Sequence, residues 1–338
     1  MDLLDRLRLD VPVGQAGMGG GLAGAPLAAA VANAGGLGTL GLVTPRQLRA
    51  AIDQMRAEAP GRAVAVNLLL PFTTRRHVAV CVQARVDVVV LAFGEPRGLA
   101  ERLREAGAFV FVMVGTAEQA RGAIDAGADG LIAQGREAGG HLVGTAAALD
   151  FLPRALAVAG NRPVLLAGGI ATAADTEAAL AAGASGVIAG TRFLLTHEAN
   201  ANRAYQRRVT QADKTIETNL FGVSWPLRHR VLPNDATRRW CRDDGWAKAV
   251  PGAVNVASGP LSALGYLDPG KLVGLQSSRL PIFTPAALLA TMPDSWVERA
   301  ALYAGETALR LHEITSAAQA VADLSPTSPS RSRTRPSP

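Results

Sequence analysis

The sequence predicts an α/β fold: a (β/α)8 TIM barrel with an inserted, mostly helical cap after its eighth strand. Three features carry that expectation: eight short apolar runs, helical patterns between them, and the end of the alternation after Thr191. The runs are continuously apolar, as parallel strands covered on both faces should be. Strands alternating with helices in this way close into a barrel more readily than other α/β layouts. An open doubly wound sheet is the competing layout, but QAGMGGG (15–21) lacks the GxGxxG register expected after its first strand.

In chain order the strand runs read VPVGQA (11–16), LGTLGLV (37–43), AVAVNLLL (63–70), VDVVVLAF (86–93), AFVFVMVG (108–115), ADGLIAQG (128–135), RPVLLAGG (162–169) and SGVIAGT (185–191). Helices are expected at 26–36, 44–61, 98–108, 116–128 and 172–185. Thr44 precedes Pro45 as an N-cap, and the last three of these segments each close on Ala-Gly-Ala. Thr116 with Gln119 and Thr172 with Asp175 have capping-box spacing.

Beyond Thr191 the chain turns polar, and residues 195–285 hold three of its four tryptophans, Trp225, Trp240 and Trp246. Only 203–211 and 234–247 look helical there, followed by a last helix around 293–312. These features divide the chain into a barrel over 1–200, an insertion over 201–285, a C-terminal helical segment over 286–322 that packs back, and a basic Ser/Pro tail over 323–338. That tail has nothing apolar to pack and reads as disordered.

Composition narrows the function classes. Apolar residues at 49% supply a large core, while charged residues at 18% fall below the usual quarter. Part of the net charge of +6 lies in the tail, so nucleic-acid binding is not expected. Cys81 and Cys241 form neither a disulfide framework nor a metal spacing, which fits a reduced, cytoplasmic setting. No secretory signal is visible in MDLLDRLRLD. Residues 11–45 carry no charge, but their glycines and Pro12 and Pro26 favour buried segments over a membrane span. His77, His197, His229 and His312 show no metal-ligand spacing, and no GxSxG elbow is present.

The candidate site gathers at strand ends. QGREAGGHLVG (134–144) follows the sixth run and places Gln134 and His141 at the expected active-site mouth. Gln134 would face a heteroaromatic ring, and the glycines would let backbone approach a ligand. LAGGIAT (166–172) leads into a helix whose free N–H groups would face an anion. IAGTRF (188–193) brings Ile188, Ala189, Gly190 and Thr191 to the same rim, where barrels frequently bind phosphate. Arg192 either pairs with that phosphate or sits in a surface salt bridge.

Taken in order, QAGM (15–18), NAGGLGTLG (33–41), VNLL (66–69), QGREAGGH (134–141), LAGGI (166–170) and GTRF (190–193) resemble the nitronate monooxygenase (2-nitropropane dioxygenase) family. That family is related to the flavin-dependent enoyl-ACP reductases. The resemblance covers roughly residues 11–200. It implies an FMN-binding barrel, with the insertion as a substrate-covering domain. Ala16, Gly17 and Met18 would lie against the flavin ring, while Asn67, Gln134 and Gly139 would contact the cofactor. Gly169, Gly190 and Thr191 would hold its phosphate, and His141 matches the family's active-site histidine. Gly17 departs from the proline common in these enzymes, and Leu142-Val143 departs after the histidine; both leave the substrate open.

The activity this implies is FMN-dependent oxidation of alkyl nitronates with O2 to carbonyl compounds and nitrite. His141 would bind the nitronate oxygens or take the α-proton of a neutral nitroalkane. An NAD(P)H-dependent reductase of an enoyl thioester or quinone is the alternative, and a non-catalytic flavin-binding barrel is a third. No metal and no membrane partner are expected, and a homodimer is possible.

Overall fold

The computed structural model describes residues 3–260 and 269–326. Eight parallel strands form the barrel: β1 (Val13–Gln15), β2 (Thr39–Leu40), β3 (Ala65–Leu69), β4 (Val88–Ala92), β5 (Phe109–Val114), β6 (Gly130–Gln134), β8 (Val164–Ala167) and β9 (Gly186–Ala189). Each lies within one of the eight expected runs. Hydrogen-bonded neighbours follow the order β1-β9-β8-β6-β5-β4-β3-β2. The ring closes where Leu37 N–H donates to Val13 O and Gln15 N–H to Leu37 O, both at 2.9 Å.

Strand alternation separates two cores. Ala65, Val88, Val90, Phe111, Ile132, Leu165 and Ile188 point into the barrel, while their neighbours Val66, Val89, Leu91, Leu131 and Leu166 pack under the helices. A short helix (Leu3–Leu7) brings Leu3, Leu4 and Leu7, followed by Leu9, against the interior cluster. Two residues further along the inward face come Asn67 on β3 and Gln134 on β6, at the strands' C-terminal ends.

All five expected barrel helices are present, and Thr44 and Thr172 each complete a capping box. Two more were not anticipated. One, Arg75–Ala84, starts with two arginines, the wrong charge for a helix N-terminus, although Thr74 and His77 cap it reciprocally. The other, Ala148–Ala159, carries Pro153 in its interior, which reads locally as a break.

Beyond the barrel the covering segment holds more helix than strand, as expected, together with a small sheet: β10 (Ile216–Thr218) and β11 (His229–Val231) pair antiparallel, and β11 pairs in turn with β7 (Gly140–His141). Other expectations need correction. The segment expected as one helix over 293–312 is instead two 3-10 turns, Asp294–Glu298 and Glu306–Arg310, joined by extended chain. A buried connection explains this, because Ala300, Ala301, Leu302 and Ala304 pack on all sides and no single apolar stripe forms. Of the expected helix over 234–247, only Asp235–Trp240 forms. A final helix, Ala317–Leu324, packs against helices Ala25–Asn33 and Ala173–Ala181, so residues 323–324 are helical and not part of a tail. The expected disorder from 327 onward lies outside the described residues.

Among the described residues no helix is long and apolar enough to cross a membrane. The uncharged stretch 11–45 folds as β1, helix Ala25–Asn33 and β2, as expected.

Candidate active site

A cavity of about 420 Å³ opens at the C-terminal end of the barrel, beneath the covering segment. Of the residues singled out from the sequence, Arg192 lies elsewhere and the others line it: Ala16, Gly17, Met18, Asn67, Gln134, Gly139, His141, Gly169, Ile188, Ala189, Gly190 and Thr191. Residues from beyond the barrel close the other side, among them Tyr205, Ser224, Trp225, Leu272, Thr284 and Tyr303.

The first-strand corner is built around a small residue. Asn67 Nδ2 donates to Gly17 O at 2.7 Å, and a Cβ on residue 17 would lie 2.3 Å from the Asn67 Cβ. Glycine is therefore a packing requirement in this chain. Asn67 is buried, and its Oδ1 has no partner. An orphaned buried acceptor is costly, by about 1–3 kcal/mol.

At the opposite rim, Gly168 and Gly169 take the left-handed backbone, φ +103° and +80°. Their N–H groups, with those of Gly190 and Thr191, line the cavity and donate to no described residue. They form a cluster of open donors suited to an anion. The expected helix contribution is corrected here. Asp175 Oδ2 accepts from Ala171 N at 2.8 Å and Thr172 N at 2.9 Å, and none of residues 171–175 lines the cavity, so the glycine turn and not the helix end faces it. Arg310 braces the turn from outside, donating to Gly169 O at 2.6 Å and pairing with Asp175 at 3.0 Å. Arg192 takes the salt-bridge role and not the phosphate one: buried and outside the cavity lining, it donates to Thr315 Oγ1 and pairs with the half-exposed Asp323 at 3.8 Å.

His141 sits on a strand, not in a loop. Gly140 has φ +77°, and a Cβ at Gly139 would lie 2.4 Å from Gly305 N, so both glycines are required to bring β7 over the mouth. Gln134 fixes that strand: its Nε2 donates to His141 O at 3.1 Å and its Oε1 accepts from Val143 N at 2.9 Å. The Gln134 amide, expected to face a heteroaromatic ring, is thus engaged with backbone. Arg230 secures the neighbouring β11, donating to Arg136 O at 2.8 Å and pairing with Glu217 at 2.7 Å.

Aromatic rings enclose the imidazole. Trp225 stacks on His141 at 3.7 Å between centroids and 20° between planes, with His229 at 5.0 Å and Tyr303 at 5.5 Å. Burial, reinforced by the nearby His229, holds the His141 imidazole well below its ordinary value, so it is neutral at neutral pH. Its Nε2 is buried without a partner. Sequence reasoning missed Trp225, Tyr303 and His229, which come from segments remote from the barrel motifs. The tryptophan-rich insertion was the available signal. Two strained residues mark the same place: Phe93 and Ser224 are non-glycine residues at φ +62° and +66°, both lining the cavity.

Among the described residues no cluster of His, Cys, Asp and Glu has a metal-binding arrangement. The sequence profile of the nitronate monooxygenase family matches residues 2–73 and 53–327. The (3aS,4S,5R,7aS)-5-hydroxy-7a-methyl-1-oxo-octahydro-1H-indene-4-carboxyl-CoA dehydrogenase of Mycobacterium tuberculosis is 33% identical over 341 residues, 95% of this chain and 94% of that protein. FabK from Thermotoga maritima superposes with a TM-score of 0.75 at 28% identity, covering 95% of this chain and 94% of its own. Nitroalkane oxidase from Streptomyces ansochromogenes gives a TM-score of 0.73 at 27% identity, covering 94% and 95%. Shared fold, near-complete coverage and the family profile agree: the chain is an oxidoreductase and belongs to the nitronate monooxygenase family.

Proposed function

We propose that this enzyme is an FMN-dependent monooxygenase that converts alkyl nitronates and O2 to carbonyl compounds and nitrite. The state of His141 carries the reading. In the cavity, the Glu137 carboxylate accepts from Ala148 N, and the Tyr205 and Tyr303 hydroxyls donate to carbonyls of Tyr303 and Pro285. That leaves His141 as the titratable side chain with an unpartnered buried atom among the described lining residues. A strongly depressed imidazole is a weak base, ill suited to take the α-proton of a neutral nitroalkane. The neutral imidazole is instead a hydrogen-bond donor, through its one N–H, to an anion that arrives already formed, which a nitronate is.

The residues present fit FMN. Open N–H groups at Gly168, Gly169, Gly190 and Thr191 suit its phosphate, while the Asn67 amide and the backbone of Ala16–Met18 suit the ring. When bound, the flavin supplies the electron-accepting and oxygen-reactive chemistry. The protein's own part is to seat the nitronate against His141 and exclude water with Phe72, Phe93 and Trp225.

Thioester chemistry is the second reading, favoured by the 95% coverage of this chain in its match to the mycobacterial CoA-ester dehydrogenase. Anaerobic mixing of the flavin-loaded protein with ethylnitronate separates the two. Loss of the flavin's visible band with ethylnitronate, and none with NADH, NADPH or a saturated acyl-CoA, is the expected result. Bleaching by those donors alone would transfer the assignment to the second reading.

A further inference from the structure

The turn Gly305–Arg310 lies far beyond the last barrel strand in sequence, yet it is tied to all three loops that bound the open N–H groups. Gly305 N–H donates to Thr191 Oγ1 at 2.9 Å, Glu306 N–H to Glu137 O at 3.0 Å, and Arg310 Nη2 to Gly169 O at 2.6 Å. These acceptors follow β9, β6 and β8 respectively. Among the described residues, Arg310 is the one cationic side chain that hydrogen-bonds the glycine turn.

That contact sets the direction of a peptide group. Every described peptide bond is trans, so the Ile170 N–H points opposite to the Gly169 carbonyl. Arg310 and its partner Asp175 lie outside the cavity lining, whereas Ile170 lies within it. With the carbonyl held outward, the Ile170 N–H is turned towards the cavity, and it donates to no described residue. Gly169, without a side chain and at φ +80°, restrains this peptide little by itself, so the tether is what orients it. Asp175 at 3.0 Å balances the guanidinium charge, and the Arg310 side chain is 47% exposed. Its contribution is therefore orientation rather than long-range attraction.

We propose that Arg310 is a positioning residue for the cofactor's phosphate: it holds the Gly169 carbonyl outward and so adds the Ile170 N–H to the donors of Gly168, Gly169, Gly190 and Thr191. This rests on the FMN reading and deepens it. A hydrogen bond from a charged group to the carbonyl also polarises the peptide and strengthens its N–H as a donor. A flavin that lacks the phosphate has no use for these donors. Arg310 thereby sets the preference for FMN over riboflavin without touching either.

The test titrates the full-length apoprotein with FMN and with riboflavin, following the flavin fluorescence. The parent is expected to bind FMN more tightly. Arg310→Met keeps an unbranched stem without donors, and should weaken FMN about 10-fold, the loss of one hydrogen bond to a charged group, while leaving riboflavin unchanged. A general loss of structure would weaken both flavins alike. The peptide direction is read in the parent itself, labelled with 15N at its isoleucines, with the Ile170 resonance identified by its loss in Ile170→Val. The Ile170 amide proton is expected further downfield with FMN than with riboflavin, and that difference should vanish in Arg310→Met. Should Arg310→Met fail to fold, the parent spectra still decide. Equal weakening of both flavins, an unchanged FMN affinity in the variant, or one Ile170 position in both parent complexes overturns the proposal. A parent that holds riboflavin as tightly as FMN would instead remove the phosphate placement, and the role of Arg310 with it.

Discussion

His229 faces His141 directly across the antiparallel pair of β11 and β7, with 5.0 Å between the ring centroids. His229 Nδ1–H donates to Leu227 O at 2.9 Å, and its Nε2 accepts from Phe221 N at 3.4 Å. Both nitrogens are used by the neutral tautomer, and burial pushes the group down to about 4. Two neutral imidazoles therefore support each other where two cations would not coexist.

This relationship predicts acid sensitivity of the fold. The folded-state values of His141 and His229 lie below the ordinary 6.5, and His77 is lowered by burial in the same sense. Below pH 6.5 the unfolded chain binds protons that the folded chain refuses. Stability is therefore complete above that pH and falls as pH drops below it, for His229 by about 1.4 kcal/mol per pH unit down to about 4. Urea unfolding across pH 5 to 7.5 checks this, and His229→Gln should flatten the slope. A slope unchanged in that variant contradicts the assignment.

His141→Ala should leave flavin bound and lower kcat/KM for ethylnitronate by about 10- to 100-fold, the loss of one hydrogen bond to a charged group. The imidazole contributes to the cavity wall, while the glycine rim and Asn67 are untouched. Steady-state rates with ethylnitronate, alongside the flavin-to-protein ratio, separate lost chemistry from lost cofactor.

Gly190 gives the cleanest test of the proposed phosphate rim. Its φ of −104° suits any residue, and an added Cβ would meet only the Ala16 Cβ at 3.7 Å. Gly190→Val should therefore keep the fold, with a melting temperature close to the parent apoprotein, but lose FMN through crowding of the open N–H groups. Full occupancy in that variant argues against the placement. Gly169→Val should also lose FMN but is less informative, because its φ of +80° adds backbone strain.

Arg230 ties the small sheet to the barrel loop, and its side chain is 7% exposed. Arg230→Met should cost about 1–3 kcal/mol by orphaning Arg136 O, while Glu217 keeps Arg228 at 3.1 Å. Activity should fall beyond the loss of folded protein, since β11 positions His141. A thermal melt and a rate per folded enzyme test the two effects separately.

The barrel was legible because each strand is a local pattern. Continuous apolar runs bounded by glycine and caps such as Thr44 and Thr172 depend on near neighbours alone. Polar residues in otherwise apolar strands, Asn67 and Gln134, likewise marked the ends that face the cavity. Helices Arg75–Ala84 and Ala148–Ala159 were hidden by the N-terminal arginines and by Pro153, local warnings that tertiary burial overrode. The stretch 293–312 failed the other way: helical-looking spacing was taken over by burial on all sides.

The sequence by itself determined the order of strands, the glycine rim and the residues that meet at the mouth, because chain order and side-chain alternation set them. Tertiary structure alone decided that His141 lies on a strand, that Gln134 spends its amide on backbone, and that Trp225 covers the imidazole. The strand pairing of His141 with His229 and its cover by Trp225 arise from contacts between segments more than 80 positions apart. No local periodicity encodes such pairings; they form only when the barrel closes and the covering sheet adds its strands to β7.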